Sequence, residues 1–390
     1  MKPPAADRVA AVSAAAAAAV PSVIEWTKRI AAVPAPTGDE GERSAFVRSL
    51  FAEAGLQPRV DDLGDVVVTL PGRRRGSEAP AVLLAAHLDT VFARGTPLPI
   101  AVAGSRMHGP GVGDNSVGVA AVLAIPSVLR AAAETPPVDI LLTGNVGEEG
   151  LGNLRGIRAV MDAHPRIGAV VAVEGHNLGR VTHVAVGSKR LRITATGPGG
   201  HSWGDFGRPS ALHALAKLIA DLDAITLPWS PKTTLNVGVV EGGISVNSIA
   251  PTASCLVDLR SVEAASLARL AEKVDRVVDG AGRDGVSFAV ETLGERPAGE
   301  APLDSDVVRV ATVVLGALGV ETAYDASSTD ANVALARGVP AVCIGLTSGG
   351  NVHREDEYIE TEPLATGLAQ LALLALELGD RLADGTLRRA

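Results

Sequence analysis

The sequence predicts an α/β fold: a mostly parallel sheet flanked by helices, interrupted by an inserted ferredoxin-like α+β module. Three observations carry this. Four short, nearly uninterrupted apolar runs (81–86, 138–142, 169–173 and 341–346) have the length and composition of strands buried on both faces. Helical patterns lie between or beside them, so strand and helix alternate. Between the third and fourth runs the order changes to strand, helix, strand, strand, helix, strand. A chain of 390 residues has room for two or three domains at roughly 100–200 residues each. The boundaries fall in Gly-bearing turns near Gly187 and Gly294, making 1–186 with 295–390 one domain and 187–294 the other.

Taken in order, an Ala-rich stretch at 11–20 imitates a signal-peptide core. Asp7 and Arg8 precede it, and a helical pattern (Ile24, Trp26, Ile30) follows, so a helix is the expectation. Thr37 and Glu40 have capping-box spacing and open an amphipathic helix (Phe46, Val47, Leu50, Phe51) that stops at Gly55. After strand 81–86 comes a helix over 117–132, which Pro126 is expected to kink or break. Strand 138–142, a helix over 154–163 and strand 169–173 follow. The inserted module has strands near 191–196, 233–240, 253–259 and 286–290, with helices near 210–222 and 264–278. The Pro/Gly-rich stretch 295–302 leads back to a helix over 330–337, strand 341–346 and a helix over 364–378.

Composition excludes several classes. Aromatics are 3% and the net charge is -9, which disfavours base-stacking platforms and phosphate-backbone binding, so no nucleic-acid partner is expected. Two cysteines, Cys255 and Cys343, are too few for a disulfide scaffold and suit a reducing, cytoplasmic setting. The chain shows no 18-residue apolar run free of charges and breakers, so no membrane span is expected. No internal repeat, G-x-S-x-G nucleophile elbow or dinucleotide loop stands out.

The chemistry gathers at strand ends. The first strand runs into His87 and Asp89, the second into Glu148 and Glu149, the third into Glu174, and the fourth through a Gly-rich turn into His353. Asp114 lies in GVGDN just before a helix. Sites in open α/β sheets form beyond the carboxyl ends of the strands. Two imidazoles and three carboxylates suit zinc, with cobalt or manganese as alternatives. Two ions sharing one carboxylate would use all five ligands and leave room for a bridging water, at a spacing of roughly 3.5–4 Å. Adjacent side chains point apart, so one of Glu148 and Glu149 can ligate while the other serves as general base. Asp89 is placed to accept the second imidazole N–H of His87.

At these residues the sequence resembles the co-catalytic zinc exopeptidases and amidohydrolases, the family of carboxypeptidase G, peptidase T, acetylornithine deacetylase and succinyl-diaminopimelate desuccinylase. The matching segments are AAHLDTV, GVGDNSVGVA, GNVGEEGLG, AVEGHN, GPGGHSW, VNSIAP, SSTDAN and GGNVHREDEYIE, in the family's order over about residues 20–375. The resemblance implies two Zn2+ per chain, with Asp114 bridging, His87 and Glu174 completing one site, and Glu149 and His353 the other. It implies Glu148 as general base and a cis peptide at Asp114–Asn115. It also implies that the inserted module is a lid and dimerisation domain, making a homodimer in which His201 reaches a neighbouring active site and steadies the oxyanion. Asn247 and Arg260 would hold substrate, although Asn247 can cap a turn and Arg260 can pair with Asp258. Asp330 reads equally as a helix N-cap or a pocket residue. The sequence departs from the family at Asn115-Ser116 and at Arg354.

The expected activity is hydrolysis of amide bonds in small peptides by a metal-bridging hydroxide, since the run from SSTDAN to DEYIE resembles the peptidase T branch. The nearest alternative is an N-acyl-amino-acid deacylase using the same site. The alternative from another class is a non-catalytic small-molecule-binding protein.

Overall fold

The computed structural model describes residues 1–74, 79–282 and 285–388. The chain divides into two compact units, Met1–Ala185 with Glu300–Ala390, and Val186–Gly299.

The first unit is built on a large mixed sheet. Its centre runs Val66–Leu70, Asp139–Asn145, Ala81–His87, Ile167–Leu178, Ala341–Gly345, Arg180–Ala185. The four inner strands are parallel, while Val66–Leu70 and Arg180–Ala185 pair antiparallel at the flanks. Every residue of Ala81–His87 is buried, as a strand with helices on both faces requires. In register, His87 sits opposite Asn145, so the loops that follow these two strands leave the sheet side by side at its carboxyl edge.

Helix Val117–Ala131 is buried along most of its length and continues through Pro126, which removes one backbone donor without ending it. The expected break is absent because the surrounding core holds the helix. The expected capping box does not form either. The helix begins at Gly41 with Glu40 in the cap position, and the Thr37 hydroxyl turns instead to Asp89 at 2.9 Å. Among the described residues, two helices are long and apolar enough to cross a membrane, Ala6–Ala31 and Val112–Ala131. The second is mostly interior, and the first packs against Val117–Ala131 and Leu364–Asp384.

A small sheet not anticipated from the sequence runs Gly349–Gly350, Tyr358–Glu360, Arg106–His108, Ala101–Ala103. It joins the loops that carry His353 and Asp114. Residues 351–357 connect its first two strands, and the loop carrying Asp114 leaves from His108, which pairs with Tyr358.

The second unit is a four-stranded antiparallel sheet in the order Thr233–Gly242, Thr252–Ser261, Gly187–Thr196, Ser287–Arg296. Helices Ala211–Asp223 and Ala264–Ala281 cover it over a separate core that includes Leu191, Leu215, Val257 and Val274. Its last strand runs past Gly294 to Arg296 because Arg296 still pairs with Ser188.

Candidate metal centre

Five side chains predicted as ligands converge in the first unit. His87 Nε2 lies 3.0 Å from Asp114 Oδ1 and 3.7 Å from Glu174 Oε2. His353 Nε2 lies 3.0 Å from Asp114 Oδ2 and 3.0 Å from Glu149 Oε1. The two oxygens of Asp114 therefore face different imidazoles, each with a second carboxylate beside it. Donor atoms of His87, Asp114 and Glu149 all fall within 4.8 Å of one another. The donor set fits zinc: ligand arms of ~2.0 Å at tetrahedral angles place donor atoms ~3.3 Å apart, near the separations seen here.

The electrostatics describe a cluster short of positive charge. Burial alone would lower the His87 pKa, yet Glu174, Asp114 and Asp89 raise it well above 6.5. Hydrogen bonds to Asp114 and Glu149 lift His353 to about 10. Burial would raise Asp114, but the two imidazoles drive it far below the usual carboxylate range. Glu174 is pushed up to about 7, mainly by burial, with His87 pulling down and Asp114 and Asp330 pushing up. Crowded acids that hold their imidazoles protonated are the environment in which a divalent cation displaces protons.

Local structure explains how Asp114 and His353 are presented. Asp114 precedes the start of helix Val117–Ala131, and its peptide to Asn115 is cis. Asn115 is buried and donates from Nδ2 to the Val173 carbonyl at 2.6 Å, tying this turn to the strand that bears Glu174. His353 has φ 65°, a left-handed conformation costing a non-glycine residue roughly 1–2 kcal/mol, which aims its ring back at the cluster. Arg354 beside it is exposed and paired with Asp356 at 2.8 Å.

Asp89 does more than the sequence suggested. The nearest acceptor to His87 Nδ1 is the main-chain oxygen of Asp89 at 3.0 Å, with carboxylate Oδ1 at 3.5 Å. The carboxylate itself accepts the backbone N–H groups of Glu148 at 2.9 Å and Glu149 at 2.8 Å, plus the Thr37 hydroxyl. It thereby fixes the peptide carrying both glutamates. Burial would raise its pKa, but His87 and these N–H groups hold it below 3.8.

Sequence reasoning missed four residues around the centre. Arg43 is fully buried and donates to the carbonyls of Val33 and Leu88, the latter between His87 and Asp89. Its only sequence signal was a charge within an amphipathic helix. Asp65 accepts the Val146 N–H at 2.8 Å just before the Glu148 loop. Glu357 and His176 form a buried pair at 2.8 Å. Burial pushes the Glu357 carboxyl above its ordinary value, against the pull of His176. The available signal was proximity in sequence: His176 follows Glu174 by two residues, and Glu357 follows His353 by four. Asp330 makes no side-chain helix cap and accepts instead from Asn145 Nδ2 at 2.7 Å.

The remaining predicted residues belong to the second unit. His201 is exposed, and its Nδ1 accepts backbone N–H groups from Trp203 and Gly204, both at 3.2 Å. Asn247 is exposed and accepts from the Ser245 hydroxyl at 2.8 Å. Arg260 donates to Asp258 at 2.6 Å.

Comparison with known proteins bears on this centre. A succinyl-diaminopimelate desuccinylase from Corynebacterium glutamicum is 27% identical over 354 residues, covering 87% of this chain and 92% of that one. Carboxypeptidase G2 from a Pseudomonas species is 24% identical over 385 residues, covering 92% of this chain and 90% of that one. Among solved structures, a tripeptidase from Staphylococcus aureus superposes with a TM-score of 0.77 at 21% identity, covering 93% of this chain and 99% of its own. These likenesses span nearly the whole chain, and residues 83–377 match peptidase family M20/M25/M40, to which the chain belongs.

Proposed function

We propose that this chain is a dinuclear zinc hydrolase that cleaves amide bonds of small peptides. The observation carrying this is the division of Asp114 between two imidazole–carboxylate pairs, His87 with Glu174 and His353 with Glu149. These five residues would hold two Zn2+ ions, with Co2+ or Mn2+ able to substitute. When bound, such ions would polarise a substrate carbonyl and acidify a water molecule.

The protein supplies the rest. Glu148 is the general base: Asp89 anchors its backbone N–H beside ligand Glu149. It takes a proton from the attacking water and passes it to the leaving nitrogen as the C–N bond breaks. The second unit serves as lid and dimerisation domain, and His201 of the partner subunit steadies the oxyanion. Its ring is prepared for that task. Because Nδ1 accepts from Trp203 and Gly204, the proton of the neutral ring resides on Nε2 as a donor. The exposed Trp203, Phe206 and Trp229 of this unit are apolar surface that a second copy would cover. Asn247 and Arg260 are the proposed substrate contacts. Cys255 and Cys343, both free and buried, support a cytoplasmic setting.

Glu148→Gln tests the mechanism. It keeps the metals and loses roughly 10²–10⁴-fold in kcat; retained turnover dismisses Glu148 as base. The desuccinylase relative keeps an N-acyl-amino-acid substrate as the second reading. Dipeptides and tripeptides assayed beside N-acetyl and N-succinyl amino acids separate the two, and activity on the acyl compounds alone overturns the peptide assignment.

A further inference from the structure

The Glu357 carboxylate is fully buried and gathers three backbone N–H groups from the loop that carries Asp114. Oε2 accepts from Gly111 at 2.8 Å, and Oε1 accepts from Gly113 at 3.0 Å and from Asp114 itself at 2.9 Å. His176 Nε2 meets the same Oε1 at 2.8 Å. The loop is moulded to this carboxylate, since a Cβ at Gly113 would collide with His176 Nε2 and Glu357 Oε1. The main chain joins in, with Gly109 N–H donating to the Glu357 carbonyl at 2.9 Å.

We propose that Glu357, held by His176, is the positioning residue that sets the bridging carboxylate and locks three ligand-bearing segments into one register. The assignment rests on the dinuclear reading above. Its basis is connectivity. Glu357 shares a loop with His353, His176 shares a strand with Glu174, and the N–H groups belong to the Asp114 turn. One carboxylate thus ties one outer ligand of each proposed site to the shared one. Oε1 of Glu357 accepts two of these backbone N–H groups and Oε2 the third. Glu357 touches Asp114 only through its amide, which leaves both Asp114 side-chain oxygens to face His87 and His353.

The test measures zinc affinity by calorimetry on the full chain after chelation, beside kcat and KM. Glu357→Gln keeps the shape but presents an NH2 group to at least one loop N–H. The expected result is two zinc sites with affinity at one or both weakened about 10–100-fold, and kcat reduced with KM little changed. Wild-type zinc affinity together with kcat within twofold of wild type overturns the proposal. Should Glu357→Gln fail to fold, the pair His176→Gln and His176→Leu decides. Gln retains an N–H donor near Nε2, and Leu fills the space without one. Zinc affinity near wild type for Gln and at least tenfold weaker for Leu supports the clamp; equal affinities overturn it. A wild-type chain taking up fewer than two zinc ions overturns the dinuclear reading itself and the clamp with it.

Discussion

Asp89→Asn is the most discriminating single change at this centre. The carboxylate is completely buried and acts only as an acceptor, for Glu148 N, Glu149 N and the Thr37 hydroxyl. An amide has one oxygen. If that oxygen keeps Glu148, the new NH2 faces the Glu149 N–H. The Thr37 hydroxyl can turn and accept, but the backbone N–H cannot. The other orientation strands the Glu148 N–H instead. Either way one buried donor loses its acceptor, costing about 1–3 kcal/mol, and the surviving bond loses about 1 kcal/mol of charge assistance. The sum, about 2–4 kcal/mol, falls on the peptide that carries both the proposed base and a ligand. If all of it is lost at the transition state, kcat drops roughly 30–1000-fold at 1.36 kcal/mol per decade. The assay is steady-state kcat and KM with metal content held at two per chain. KM stays near wild type, since no substrate contact is removed. Thr37→Val removes one neutral donor worth about 1 kcal/mol and gives a loss of roughly fivefold. A fully loaded Asp89→Asn enzyme within threefold of wild-type kcat would refute the reasoning.

Two further changes probe the frame around the centre. Arg43→Met deletes a buried cation making three hydrogen bonds to backbone carbonyls, and urea unfolding is expected to show a loss of about 3–5 kcal/mol; a loss below about 1 kcal/mol contradicts it. Burial raises the Asp65 pKa from 3.8 to about 8, and its Oδ2 has no hydrogen-bond partner among the described residues. The folded state therefore keeps a proton that the unfolded chain releases near pH 4. Its contribution is full below that pH, falls as pH rises, and is gone above about pH 8, with a slope of at most about 1.4 kcal/mol per pH unit. Asp65→Asn flattens that decline in chelator-treated protein between pH 5 and 8; parallel stability curves for the two proteins show that Asp65 does not titrate this way.

Much of the fold was legible because buried parallel strands leave a strong trace. The apolar run at 81–86 could be little else, and it forms the fully buried strand Ala81–His87. The cluster of His87, Asp114, Glu149, Glu174 and His353 was legible because imidazole and carboxylate at strand ends are costly to explain by packing. Thr37 was not legible: its spacing to Glu40 satisfies a local rule, yet a buried carboxylate 52 residues away is the better partner. Pro126 misled in the same way, since tertiary packing outweighs a local penalty. Arg43 reads as solvated charge because helical periodicity cannot show that two carbonyls wait on the inner side of the helix. The small sheet was invisible because its strands are two or three residues long, too short for any period to register.

Asp89 and Glu357 reveal a common device. Each is a buried carboxylate that holds no predicted metal itself yet collects backbone N–H groups from a loop that does, Glu148 and Glu149 in one case and Gly111, Gly113 and Asp114 in the other. Loops leaving the carboxyl edge of a sheet have lost their ladder partners, so their N–H groups must find acceptors or go unpaired. Supplying a carboxylate solves that and fixes the loop's direction with charge-assisted bonds. The side chains projecting from such a loop are then aimed by the main chain rather than by their own contacts. That leaves their oxygens available, and where such a carboxylate is ionised it adds negative charge behind the proposed ligands that deepens the attraction for cations. A neutral acceptor could satisfy the same N–H groups, but it would contribute nothing to that field. The choice of carboxylate at both positions is therefore better explained by cation binding than by loop folding alone.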